Sequence, residues 1–142
     1  MKILVPTDGS AASLRALKHA IGRANAYPGV FILLINVQNL STLGLHEGGG
    51  VMSPSWIEQE EERASLEVLK EAQGICKAAG VAYAVRTERG GIAGTIDRVA
   101  RADHIDEIIM GTRGLGGVRG LLVGSIATQV LHLVDVPVTF VK

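Results

Sequence analysis

Cysteine is nearly absent: the 142 residues hold only Cys76, so no internal disulfide can form, which agrees with a reducing compartment. Cys76 stands among Ile75, Ala78 and Ala79 and reads as a small core residue, not a nucleophile. An excess of either charge is missing as well. Lys and Arg number 14, Asp and Glu number 14, and outside an acidic run at residues 58–71 the signs are interspersed, leaving no basic stripe for nucleic-acid phosphates. The longest apolar runs, such as Val30-Phe31-Ile32-Leu33-Leu34-Ile35, fall far short of the ~20 residues of a membrane span. The chain also enters Ile3-Leu4-Val5 without the basic region and cleavage site of a secretory leader. These absences predict a cytoplasmic protein with no nucleic-acid or membrane partner. At this length residues 1–142 are expected to form one domain, able to bury roughly two-thirds of its unfolded surface without metal or disulfide. Glycine alone is in excess: 18 are present, where average usage of ~7% would give about ten.

Ile3-Leu4-Val5 and Phe31-Ile32-Leu33-Leu34-Ile35 are unbroken aliphatic runs, the pattern of strands covered on both faces. Residues 81–87, 107–110 and 138–141 read as three further strands. Between them lie helical stretches. Residues 10–26 place Leu14, Leu17, Ala20 and Ile21 on one face, with Asp8 or Ser10 as cap. The second helix opens on Ser55-Trp56-Ile57-Glu58, a capping box, lines Leu66, Leu69, Ala72, Cys76 and Ala79 on one face, and closes at Gly80. Glu58, Glu60, Glu61, Glu62, Glu67 and Glu71 are expected on its solvated face, without a metal role. Residues 95–101 and 125–133 form shorter helices. Strict alternation of strand and helix predicts an α/β protein: a doubly wound five-stranded parallel sheet with helices on both faces. Residues 38–53, with Gly48-Gly49-Gly50, read as a surface loop, and its His46-Glu47 pair is too isolated for a metal site.

Ligands of doubly wound sheets bind beyond the carboxyl ends of the strands, where strand order reverses. If the first and fourth strands flank that point, the segments Pro6-Thr7-Asp8-Gly9-Ser10 and 111–125 meet there. Six of the 18 glycines fall within the second: Gly111, Gly114, Gly116, Gly117, Gly120 and Gly124. Missing side chains expose amide N–H groups, the following helix adds its own N–H groups and positive dipole end, and Ser125 adds a hydroxyl. Arg113 and Arg119 supply positive charge, and the segment has no acid. These are the parts of a phosphate cradle. A Walker loop is excluded because the segment lacks lysine, and a dinucleotide fingerprint because the first strand-to-helix turn lacks the glycine triplet.

Gly111, Gly114, Gly124 and Ser125 satisfy the spacing Gly, two residues, Gly, nine residues, Gly-Ser, which resembles the ATP-binding signature of the universal stress protein family. Residues 3–10 resemble that family's opening strand, 108–114 its fourth strand and Val136-Pro137-Val138 its closing one. One departure is Ile92, where the family commonly has proline. The resemblance implies a Rossmann-like fold of the adenine nucleotide alpha hydrolase type. It implies ATP across the switch point with magnesium only as the phosphates' companion, and a homodimer through the last strand. It assigns Asp8, on the Pro6-Thr7-Asp8 segment, to the nucleoside, Val37 to the adenine, Met110 and Gly111 to the ribose, and Gly114, Gly124, Ser125 and Ile126 to the phosphates. His19, His104 and His132 form no nucleophile arrangement, and Val123-Gly124-Ser125-Ile126-Ala127 is not a nucleophile elbow. No catalytic residue is nominated, and a nucleotide-dependent switch acting on an unidentified protein partner is the expected role. Two alternatives stand beside it: a weak ATPase or nucleotidyl-transfer enzyme on the same fold, and a ligand-free dimeric interaction module.

Overall fold

The computed structural model describes residues 1–39, 54–114 and 123–142. Most of the expected 38–53 loop, with His46, Glu47 and its three glycines, lies outside these residues, as do Arg119, Gly116, Gly117 and Gly120. The elements run β1 (Lys2–Pro6), α1 (Ala11–Ala26), β2 (Phe31–Gln38), α2 (Pro54–Ala79), β3 (Tyr83–Arg89), α3 (Ile92–Ala102), β4 (Glu107–Gly111), α4 (Ser125–Leu133) and β5 (Val138–Val141). The five strands form one sheet in the order β3-β2-β1-β4-β5, and each pairing is parallel. The fold is a Rossmann-like α/β sheet.

Side chains alternate across each strand, so an unbroken aliphatic run buries both faces at once. Ile3, Val5, Ile32, Leu34 and Ile109 pack with Ala16, Leu17 and Ala20 of α1 and Leu69, Ala72 and Cys76 of α2. Leu4, Ile35, Ile108 and Met110 pack on the other face with Ile96 and Val99 of α3 and Ala127 and Val130 of α4. Burial pushes the Cys76 thiol up to about 11, which leaves it protonated and unreactive at neutral pH. Among the described residues no helix is long and apolar enough to cross a membrane.

The boundaries of β3, α3 and α2 depart most clearly from the sequence expectation, β3 for a tertiary reason and the two helices for local capping reasons. β3 lies at Tyr83–Arg89, two residues beyond the expected 81–87, because β2 continues to Gln38 and pairs with it as far as Arg89. An edge strand needs only one covered face, so Arg86 and Glu88 enter the ladder and form ion pairs with each other, with Arg98 and with Asp103. α3 begins at Ile92, three residues before the expected start, behind Gly91 as cap and with Thr95 N–H bonded to the Gly91 carbonyl at 2.9 Å. Ile92 is thus the first helical residue, the position where proline is also favoured. Likewise α2 begins at Pro54, which places Ser55 inside the helix and not at its cap.

The buried stripe of α2 is also redrawn. Leu66 is exposed, whereas Glu61 and Ser65 are buried with Leu69, Ala72 and Cys76, so Glu61 does not belong to the solvated acidic face. Spacings of four, four, three and four residues keep this stripe on one side of the helix. Its first half is polar, which a search for apolar periodicity passes over. At the opposite end of the sheet, the buried Glu107 is satisfied by Arg23 at 3.1 Å and the Thr139 hydroxyl at 2.7 Å. Replacing Leu17 by Ala is expected to lower stability by about 2–5 kcal/mol through lost burial and a cavity. Leu66→Ala should cost no more than about 0.5 kcal/mol, as for an ordinary surface site. Urea midpoints at unchanged slope read both, and equal losses would contradict the assignment of Leu66 to the surface.

Candidate functional site

From β1 the chain winds outward through β2 to β3, then returns past β1 to form β4 and β5. Strand order therefore reverses between β1 and β4, and a crevice of about 400 Å³ opens at their carboxyl ends. Every residue the sequence nominated as an ATP ligand lines it. Pro6, Thr7 and Asp8 come from the end of β1, Val37 from β2, and Met110 and Gly111 from β4; Arg113 and Gly114 follow β4, while Gly124, Ser125 and Ile126 open α4. The described histidines, His19, His104 and His132, do not line it.

The β1 side is held by a chain of short-range bonds. Gly9 takes the turn with φ +80, and Asp8 Oδ1 accepts the Ser10 N–H at 2.9 Å. Ser10, not Asp8, caps α1: its hydroxyl accepts the Ser13 N–H at 3.2 Å. Ser13 Oγ donates in return to the Ser10 carbonyl at 2.9 Å and lies 3.2 Å from the Thr7 hydroxyl. Asp8 is thereby fixed at the crevice wall by the turn that also starts the helix.

The glycines of the opposite wall are there for room more than for unusual backbone angles. A Cβ on Gly111 would lie 2.8 Å from the Ala12 carbonyl carbon and 3.0 Å from the Ser13 nitrogen, so only glycine lets β4 reach the first turn of α1. A Cβ on Gly114 would overlap Asp8 Oδ2, which means that the backbone after β4 rests on the Asp8 carboxylate. Gly124 donates its N–H to the Thr112 carbonyl at 2.7 Å, and a Cβ there would come within 3.3 Å of the same oxygen. This bond ties the two ends of the glycine-rich segment together at the start of α4.

Gly124 caps α4 without a side-chain acceptor, and the first intrahelical bond is Thr128 N–H to the Gly124 carbonyl at 3.0 Å. The amides of Ser125, Ile126 and Ala127 thus stand at the positive end of the helix, beside the crevice, with no side-chain cap bond among the described residues. Arg113, exposed beside Gly114, adds the positive charge. Such an end attracts anions. The deeper wall is apolar, built from Ile35, Val37, Ile92, Ile96 and Met110. Ile35 accepts the Thr7 N–H on the β1 side and Gln38 accepts the Gly90 N–H on the β3 side. By the alternation of a parallel ladder, the Val37 N–H and C=O face the β1 side, above the level at which β1 has left the sheet. Among the described residues, no group of three or more His, Cys, Asp or Glu side chains is placed to hold a metal ion.

Sequence reasoning missed Ser13, Asn36, Ile96 and Thr112, all of which line the crevice. Asn36 carried a visible signal, because asparagine is uncommon in strands and here ends an otherwise aliphatic run. Thr112 lies within the nominated segment 111–125 without being singled out, and Ser13 and Ile96 carried no signal, since their places depend on which helices flank the reversal.

Comparison with known proteins agrees with this architecture. Residues 1–142 match the universal stress protein family along their whole length. Universal stress protein MJ0531 of Methanocaldococcus jannaschii is 33% identical over 141 residues, covering 99% of this chain and 81% of the relative. Among solved structures, that of the protein MJ0577 superposes with a TM-score of 0.80 at 23% identity, covering 99% of this chain and 94% of the other. The universal stress protein of Archaeoglobus fulgidus, solved in complex with dAMP, superposes with a TM-score of 0.71 at 22% identity over 100% of this chain and 98% of the other. On the match over its full length and the identity to a relative of the same kind, this chain belongs to the universal stress protein family.

Proposed function

We propose that residues 1–142 act as one nucleotide-binding domain whose crevice takes ATP, with magnesium arriving as the phosphates' companion. The observation that carries this reading is convergence: an apolar slot, a fixed carboxylate and a glycine-capped helix start, with no side-chain cap bond among the described residues, surround one crevice of nucleotide size. The Val37 carbonyl suits the adenine amino group and the Val37 N–H suits the ring nitrogen beside it. Asp8, between Thr7 and the Gly114 backbone, suits the ribose hydroxyls, with Pro6, Met110 and Gly111 beside the sugar. Arg113, Gly114, Gly124, Ser125 and Ile126 surround the phosphates. The dAMP held by the Archaeoglobus fulgidus protein of the same fold supports an adenine nucleotide as the ligand class.

Efficient hydrolysis is not expected. Among the described lining residues Asp8 is the carboxylate, its Oδ1 is already engaged by Ser10, and no histidine or lysine stands near. ATP joins the β1 turn to the glycine-rich segment, so occupancy changes the surface around that segment, and a protein partner can read the change. The chain works as a nucleotide-dependent switch in the cytoplasm. β5 is an edge of the sheet and suits pairing with β5 of a second copy. Sedimentation equilibrium is expected to show a dimer, and a monomer at all concentrations would remove that part of the reading.

Purified protein, denatured and examined by mass spectrometry, is expected to release adenine nucleotide or, if empty, to bind added Mg-ATP. Gly114→Ala, which forces Asp8 aside, and Gly124→Val, which opens the Thr112 contact, should each weaken Mg-ATP by about tenfold or more, the equivalent of ~1.4 kcal/mol. Absence of both released nucleotide and Mg-ATP binding in the unaltered protein would sink the switch. Arg113→Ala should weaken ATP but leave adenosine unchanged, and should flatten the salt dependence of ATP binding. Equal losses for ATP and adenosine would place Arg113 elsewhere than at the phosphates.

A further inference from the structure

Asn36 is the buried polar residue of an aliphatic strand, and each hydrogen-bonding group of its side chain has a defined partner. Nδ2 donates to the Thr7 carbonyl at 2.7 Å; Oδ1 accepts from Gln38 Nε2 at 2.8 Å and from the Ser65 hydroxyl at 2.5 Å. The Thr7 carbonyl can only accept, so the amide cannot be turned around without setting oxygen against oxygen. Ser65 reaches it from the polar, buried half of the α2 stripe, which gives that half its purpose. Thr7 is itself buried at the last step of the β1 ladder, its N–H on the Ile35 carbonyl at 2.9 Å.

In a regular parallel ladder the next bond would run from the Val37 N–H to the Thr7 carbonyl. The Asn36 side chain occupies that carbonyl instead. We propose that Asn36 is a positioning residue for base selection: by holding the Thr7 carbonyl it ends the ladder one step early and keeps the Val37 N–H and C=O together for the edge of the base. Ser65 of α2 sets its orientation. The proposal rests on the nucleotide reading of the crevice and explains how that site distinguishes purines. Adenine presents a donor beside an acceptor, matching a carbonyl beside an N–H, whereas hypoxanthine presents the reverse pair.

The test combines hydrogen exchange at the Val37 amide of the ligand-free protein with calorimetric Kd values for Mg-ATP and Mg-ITP, which differ only at the purine edge. Three variants are compared with the unaltered chain: Asn36→Leu, the milder Ser65→Ala, and Leu69→Ala as a control that damages the same helix without touching the network. In Asn36→Leu the Thr7 carbonyl is expected to recapture the Val37 N–H. That amide then exchanges more slowly than in the unaltered protein, although a buried hydrogen-bonding residue has been deleted; a merely structural role would speed it. The preference for ATP over ITP should fall by about tenfold, as when one well-made hydrogen bond is lost. Ser65→Ala should shift both readouts in the same direction, whereas Leu69→Ala should leave the preference unchanged and should not slow Val37 exchange. Unchanged or faster Val37 exchange in Asn36→Leu, or the same loss of preference in Leu69→Ala, overturns the proposal. If the unaltered protein binds no Mg-ATP, the nucleotide reading fails separately, and Val37 exchange alone then decides the role of Asn36.

Discussion

The contact on which the site depends is the approach of β4 to the first turn of α1. Gly111 ends β4 against the Ala12 backbone with no space for even a methyl group, and the buried Ile3-Leu4-Val5 and Ile108-Ile109 rows lie directly below. Because β1 and β4 are paired in parallel, their carboxyl ends must diverge at the same level, one into the α1 turn and the other into the glycine-rich segment. The crevice is the gap left by that divergence. Its walls are set by close-packed backbone, which yields far less readily than exposed side chains do.

The two ends of the sheet use polar groups differently. At the amino ends, Arg23 and the Thr139 hydroxyl satisfy the buried Glu107, whose burial would otherwise be costly, and Asp106 accepts the Lys2 N–H at an exposed position. At the carboxyl ends, Thr7, Ser10, Ser13, Asn36 and Ser65 form linked hydrogen bonds that determine where β1 stops and how Asp8 is held. The same kind of bond thus closes the structure at one end and keeps backbone groups open toward the crevice at the other. α2 takes part through Ser65, so a helix that looks remote from the glycine-rich segment is joined to the site through Asn36.

Much of this was legible in the residue pattern. Unbroken aliphatic runs marked β1, β2 and β4, and the spacing of Gly111, Gly114, Gly124 and Ser125 marked the glycine-lined wall of the crevice. What escaped depends on neighbours in space or on buried polar residues. β3 lies further along the chain because β2 runs on to Gln38, and apolar periodicity misplaces Leu66 and Glu61 on α2 because it counts apolar residues only. Ile96 and Thr112 reached the crevice through the packing of α3 and the tie between Thr112 and Gly124, neither of which is visible in a linear pattern.

A parallel α/β sheet, and the two segments that carry the glycine, carboxylate and cationic groups lining the crevice, are legible in the linear residue pattern. Hydrophobic runs and glycine spacings are local, so they can be read without knowing the partners. Tertiary structure alone decided why those glycines are required, which donor caps the Thr7 carbonyl, and where the Val37 amide faces. These depend on distances between residues far apart in the chain, set only when strands pair and helices pack against them.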